Sequence, residues 1–230
     1  MSRKLDHRLE AVAQQIRSAT HVDIGSDHAS LQVALLKTGR IQNAIAIENK
    51  RLPYDNSIRA LQGFSADVRF GDGLNVLEPN EAESLSICGL GAESVRDILL
   101  AHPRRIPNFV VVEVCQKPEV VRRWAFEHGF NLVSDQTTPG RRSFTILSFK
   151  RAQESTSRDP AYDDVDLESA LTFGPSVLQR EDHQFDLKLQ NEEAWWRGFV
   201  SLSHDASKRL RLVREVMNNR RVSPMPLTLY

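Results

Sequence analysis

Short apolar runs alternate along this chain with segments whose apolar residues recur at helical spacing, the pattern of strands separated by helices. Leu5, Leu9, Val12, Ala13 and Ile16 predict an amphipathic helix over residues 5–17. Val22 and Ile24 mark the end of a first buried strand, and Leu31, Val33, Ala34, Leu35 and Leu36 a mostly apolar helix stopped at Gly39. Ala44–Glu48, Val68–Phe70, Leu85–Cys88 and Phe109–Val114 read as four further strands. The intervening helices are predicted from Pro53 to Gln62, Glu93 to Ala101 and Pro118 to about His128, each β unit being followed by a helix. Phe130–Val133 and Phe144–Phe149 alternate as two last strands around a turn at Pro139-Gly140, hence antiparallel. The expected fold is α/β: a doubly wound, mostly parallel sheet closed by one antiparallel hairpin.

Beyond the sheet the pattern changes. Residues 151–166, rich in Ser, Arg, Asp and Pro, read as a linker, and Leu171-Thr172-Phe173-Gly174-Pro175 as a short docking segment. Phe185 to Asn219 reads as mostly helical, with Trp195, Trp196, Phe199, Leu202, Leu210, Leu212 and Val216 as its apolar face. The expected division is therefore a domain at 1–150 and a linker with a helical C-terminal extension at 151–230. Lys208, Arg209, Arg211, Arg214, Arg220 and Arg221 make that tail locally basic. A helix that packs its aromatics and shows charge to water explains this; so does a helix touching RNA.

Composition narrows the class. Lys plus Arg and Asp plus Glu number 30 each, so no global field draws nucleic acid, and any such attraction rests on local patches. Hydrophobic residues make up 40%, enough for one sizeable core plus an appendage. Cys88 and Cys115 lie inside apolar runs and read as buried free thiols rather than a disulfide framework. The charged start of the chain and the lack of a long apolar stretch lead to an expectation of a cytoplasmic protein with no membrane span; no metal is expected either.

The candidate chemistry sits where strands end. His21-Val22-Asp23-Ile24-Gly25-Ser26-Asp27-His28 reads as strand, tight turn and helix start, with Asp27 able to cap the helix. In open α/β sheets such a turn presents free backbone N–H groups at the carboxyl edge, where ligands bind. Glu48 closes the second strand at about the twenty-residue spacing at which an acid meets ribose hydroxyls in nucleoside-binding units. Gly71-Asp72-Gly73 ends the third strand; alone it is a common turn, but its acid is the third on successive strand ends and could accept from an adenine amino group. Gly89 and Gly91 after the fourth strand would let a planar base or a methyl donor approach the backbone. The nicotinamide fingerprint is absent, since Asp27 and Ser30 stand where it wants glycines, and Walker A is absent too.

On these residues the chain resembles the bacterial tRNA (adenine-N1)-methyltransferases of the TrmK type. The matching pieces are Leu5-x-x-Arg8-Leu9, Asp23-Ile24-Gly25-Ser26-Asp27-His28-Ala29, Gly71-Asp72-Gly73-Leu74, Gly89-Leu90-Gly91 before Arg96-Asp97-Ile98-Leu99, and Phe173-Gly174-Pro175. The resemblance implies a Rossmann-like class I methyltransferase fold binding S-adenosylmethionine and methylating adenine N1 in tRNA. It implies Asp23 and Gly25 against the methionine part, Glu48 at the ribose, Asp72 near the adenine, and Asp27 and His28 at the mouth. Ser26, Asn49, Gly73 and Gly89 complete the expected donor contacts; Asp27 and Glu93 are the acids expected near the reacting atoms. The chain departs from the family pattern at Ser30, Gln32, Ala92, Glu93 and Lys117. Two other readings stay open beside tRNA methylation: a donor site serving a small molecule or another RNA, and a donor-binding protein without turnover.

Overall fold

The computed structural model of the protein describes residues 5–26, 28–138, 143–153 and 159–224. Strands β1 (Thr20–Ile24), β2 (Asn43–Glu48), β3 (Ala66–Phe70), β4 (Ser84–Cys88), β5 (Phe109–Val114), β6 (Phe130–Thr138) and β7 (Phe144–Arg151) form one sheet in the order β3-β2-β1-β4-β5-β7-β6. β1 to β5 are parallel, while β7 runs antiparallel to both β5 and β6. The doubly wound sheet and its terminal hairpin are those expected from the apolar pattern. The sheet grows outward from β1 through β2 to β3, then returns to add β4 on the other side of β1. This leaves a topological switch point between β1 and β4, where open α/β sheets open a crevice.

Alternation along the strands sets which helices cover which face. Val22, Ile24, Leu85, Ile87, Val110, Val112 and Val114 cluster with Val95 and Leu99 of α4 (Ala92–Ala101) and with Val121 and Trp124 of α5 (Pro118–Glu127). The opposite face carries α1 (His7–Gln15), α2 (Ser30–Lys37) and α3 (Arg51–Leu61), through Val12, Ile16, Leu31 and Leu35 on Ala44, Val111 and Ile146, and Leu61 on Ala46. Asp6 caps α1 by accepting from the Leu9 amide at 2.8 Å.

Several elements differ from the expected ones. No helix follows β3; the chain passes through turns from Gly71 to the start of β4, because Gly71, Gly73 and Pro79 break any helical run. α2 starts at Ser30 with Ala29 as its cap in the left-handed region, and makes no side-chain capping bond there. Asp27, the expected cap, lies outside the described residues, as does the Pro139-Gly140 turn. Cys115 is exposed rather than buried, because it follows the last residue of β5.

The chain divides into two compact units, the first ending at Pro160 and the second beginning at Ala161. In the second, the Leu171–Pro175 segment is helical: α6 (Leu167–Phe173) and the short α7 (Pro175–Leu178). α8 (His183–Arg197) and α9 (His204–Asn219) pack through Leu189, Val213, Val216 and Met217. Much of the basic tail is paired: Arg209 with Glu192 at 2.7 Å, Arg214 with Glu193 at 3.0 Å, and Arg220 with Asp186 at 2.7 Å. Trp195 and Phe199, expected on the inward face, are instead exposed. Among the described residues, no helix is long and apolar enough to cross a membrane.

Candidate functional site

A cavity of about 460 Å3 opens at the switch point between β1 and β4. That is the size of small-ligand pockets rather than of a water channel. Asp23, Gly25 and Ser26 from the end of β1 line it, with Cys88, Gly89 and Leu90 from the end of β4. Arg8 and Leu9 of α1 and Ser30 and Leu31 of α2 form further walls. Two glycines let the backbone form this rim: Gly25 has φ +72° and Gly89 φ +76°, conformations that L side chains rarely adopt. A Cβ at Gly25 would have nothing within 4 Å, so open space stands against the backbone there.

The electrostatics of the cavity come from buried acids. Asp23 is 3% exposed and accepts a short hydrogen bond from the Ser86 hydroxyl. Burial pushes its carboxyl up from 3.8 to about 7; the Ser86 bond opposes that rise and the nearby Glu48 charge adds to it. Glu113, at the end of β5, is fully buried. One of its oxygens accepts from Arg8 at 2.6 Å and from the Gly89 amide at 3.0 Å, while the other has no partner among the described residues. Burial raises the Glu113 carboxyl even so, the Arg8 charge countering only part of it. The Arg8–Glu113 pair thus ties the N-terminal helix to the rim glycine.

The expected site residues fall into three groups. Asp23, Gly25, Ser26, His28 and Gly89 share the one cavity. Glu48, Asn49, Asp72 and Gly73 do not line it. They continue along the same carboxyl edge and are joined to it by hydrogen bonds: Ser26 donates to Glu48 at 3.0 Å, and Asn49 donates to Asp72 at 2.9 Å. Glu48 is buried and also takes the Ser57 hydroxyl at 3.4 Å, whereas Asp72 is exposed. Glu93 forms the third group. It stands in the first turn of α4, half-exposed, and the Lys117 ammonium at 2.5 Å holds its carboxyl below the usual range. It does not line the cavity.

The departures from the family pattern have local explanations. Glu93 and Lys117 meet each other, so the two form one ion pair. Gln32 is fully buried, and its amide donates to the Ile45 carbonyl at 2.8 Å, fastening α2 to β2. Ser30 opens α2 and lines the cavity, and Ala92 is buried against the main core.

Sequence reasoning passed over Arg8, Cys88 and Glu113 as parts of this site. The signal for Glu113 was present: one acid inside an apolar run of valines has to be paired when buried. Arg8 stood in the matched Leu5-x-x-Arg8-Leu9 piece, but a basic residue on an amphipathic helix is ordinarily solvated, and nothing local to it points to Glu113.

The fit to a nucleoside-type methyl donor is physical. The cavity has a buried carboxylate in its lining, backbone open to close approach at Gly25, and a chain of acids leading along the sheet edge. Comparison with known proteins agrees. A methyltransferase domain model matches residues 5–147. The tRNA (adenine(22)-N(1))-methyltransferase of Bacillus subtilis (strain 168) is 29% identical over 205 residues, covering 83% of this chain and 81% of that protein. The crystal structure of the B. subtilis m1A22 tRNA methyltransferase TrmK superposes with a TM-score of 0.81 at 25% identity, over 93% of this chain and 99% of that one. A putative tRNA (m1A22) methyltransferase of Streptococcus pneumoniae, solved in complex with S-adenosyl-L-methionine, gives 0.75 at 24% identity, over 93% of this chain and 100% of that one. With its sheet order, its switch-point cavity and the matched domain, the chain belongs to the methyltransferase-domain family, as a class I enzyme of the TrmK type.

Proposed function

We propose that this enzyme transfers a methyl group from S-adenosylmethionine to N1 of an adenine in tRNA. The observation that carries the reading is the placement of Asp23, Gly25 and Gly89 around one cavity at the switch point of a methyltransferase fold. The relatives that act on adenine 22 of tRNA, by their names, support the acceptor.

S-adenosylmethionine supplies a methyl group activated on a sulfonium sulfur. The Asp23 carboxylate accepts from the amino group of the methionine part, and Gly25 lets the backbone come close. Glu48 accepts from the ribose hydroxyls, oriented by Ser26 and Ser57, and Asp72, steadied by Asn49, receives the adenine amino group. The N1 lone pair of an acceptor adenine lies in the ring plane, so the protein needs no strong base; it has to hold nitrogen, methyl and sulfur in line. A carboxylate near the acceptor would stabilise the positive charge that develops on the adenine ring; by the family resemblance that acid is Asp27, whereas Glu93 is committed to Lys117.

The test is transfer of a labelled methyl group to tRNA transcripts carrying adenine at position 22, with nuclease digestion to identify the product. Incorporation as 1-methyladenine, lost when adenine 22 is replaced by guanine, is the expected result. No incorporation into any tRNA pool removes the reading.

A further inference from the structure

The sheet face beneath α1 carries a polar stripe inside a mostly apolar core. His21 and Asp23 alternate on β1 with Val22 and Ile24, and Ser84 and Ser86 alternate on β4 with Leu85 and Ile87. The register pairs His21 with Ser84 and Asp23 with Ser86. All four side chains are buried, with exposures of 0–3%. They form one chain. The Ser18 and Ser84 hydroxyl oxygens lie 2.7 Å apart. Ser84 meets Nδ1 of His21 at 2.8 Å, Nε2 of His21 meets Ser86 at 2.9 Å, and Ser86 donates to Asp23. At the far end, Ser18 also reaches the Thr20 carbonyl at 3.3 Å.

Such a chain has two consistent directions. An ionised carboxylate only accepts. With Asp23 charged, Ser86 donates to it, so Nε2 of His21 carries the proton and donates to Ser86, and bare Nδ1 accepts from Ser84, which accepts from Ser18. With Asp23 protonated and donating to Ser86, every bond reverses. Nδ1 of His21 then carries the proton, Ser84 donates to Ser18, and Ser18 donates to the Thr20 carbonyl, the acceptor present at that end. One proton is added to Asp23 from water, and His21 exchanges one N–H for the other without changing charge.

We propose that His21 is a positioning residue whose tautomer follows the charge of Asp23 through Ser86, so that the buried chain aims the Ser86 hydroxyl at the carboxylate when it is charged. Two features of the environment agree with a switch between neutral forms. Burial holds the imidazole down at about 3, so it stays uncharged across the working range, and holds the carboxyl near 7, so its charge changes inside that range. Among the described residues, the other ionisable groups around Asp23 are Glu48 on β2, Cys88 on β4, Glu113 on β5, His28 after β1, and Asp6 and Arg8 at α1. Arg8 is held by Glu113, so Ser86 is the hydrogen-bond donor that the structure gives to Asp23. The importance of this coupling for catalysis rests on reading the cavity as the donor site; the coupling itself does not.

The experiment is two-bond proton–nitrogen NMR of the imidazoles in ligand-free, 15N-labelled protein between pH 5 and 9, with His21 assigned from a His21→Gln variant. The expected result is a proton on Nε2 above the Asp23 midpoint and on Nδ1 below it, with no imidazolium signature at either end. Ser86→Ala should abolish this change and move the Asp23 midpoint upward by about one pH unit, the scale of one lost bond to a charged group. A single His21 tautomer across the range, or a doubly protonated ring at pH 5, overturns the proposal. The wild-type titration alone decides it if Ser86→Ala does not fold. A tautomer change in a protein that fails to bind S-adenosylmethionine in a parallel titration would uphold the coupling and remove the donor reading instead.

Discussion

Replacing Asp23 by Asn should stabilise the protein at alkaline pH while destroying the site. The folded carboxyl titrates near 7 against 3.8 when unperturbed. Below about pH 4 both folded and unfolded forms hold the proton and the group is neutral to stability. Between 4 and 7 the unfolded chain loses its proton first, so stability falls as pH rises, and above 7 the full shift of about three units, about 4 kcal/mol, opposes folding. His21 has the opposite slope. Its folded value of about 3 lies below 6.5, so stability falls as pH drops through that window, where only the unfolded chain gains the proton. From about pH 4 to 6.5 the two slopes cancel: the folded pair keeps on Asp23 the proton that the unfolded pair keeps on His21. Asp23→Asn keeps an oxygen to accept from Ser86 and removes only the carboxyl slope. The variant should exceed wild type by about 4 kcal/mol at pH 8 and by less than about 1 kcal/mol at pH 4. Its own stability should fall with acid from pH 6.5, where wild type stays flat. The assay is urea unfolding followed by the fluorescence of buried Trp124, with Trp195 and Trp196 replaced by Phe in both proteins. Equal stability of the two at pH 8, or the same difference at pH 4 and pH 8, would refute the reasoning.

Two further outcomes follow from the cavity rim. Arg8→Ala leaves the Glu113 carboxylate buried with, among the described residues, only the Gly89 amide as partner, and should cost about 3–5 kcal/mol in urea unfolding at pH 8. The loss should shrink toward acid pH as Glu113 takes up a proton, and Arg8→Ala with Glu113→Gln should regain most of it. Gly25→Ala places a Cβ in open space at φ +72°, so the stability loss should be only about 1–2 kcal/mol. Its methyl group borders the cavity, so calorimetry should show a larger loss in S-adenosylmethionine affinity than in folding.

What the sequence discloses and what it hides divide along one physical line, that between periodic burial and pairing at a distance. Apolar runs such as Phe109–Val114 predict strands because alternation and burial are local properties, and Gly25 predicts its turn because few other residues tolerate its backbone angles. The helix expected after β3, as after every other parallel strand, is absent because Gly71, Gly73 and Pro79 interrupt any helical run there. The carboxyl-edge acids are legible one by one, but their relation is not. Whether Glu48 borders the cavity or stands behind Ser26 depends on strand register and side-chain direction, which no single run encodes. Glu93 and Lys117 lie on different elements and read as two separate oddities until α4 and the start of α5 bring them to 2.5 Å. The polar stripe is an intermediate case. His21-x-Asp23 and Ser84-x-Ser86 each show polar residues at period two inside a buried strand, a pattern that costs stability unless every group is satisfied. Two such strands in one sheet can satisfy each other only as neighbours in a matching register, which is the β1–β4 pairing that also creates the switch point. Asp23, the acid that lines the cavity, is thus also one of the residues that specify which strand adjoins β1, so changing the chemistry of this site at Asp23 also disturbs the pairing that builds it.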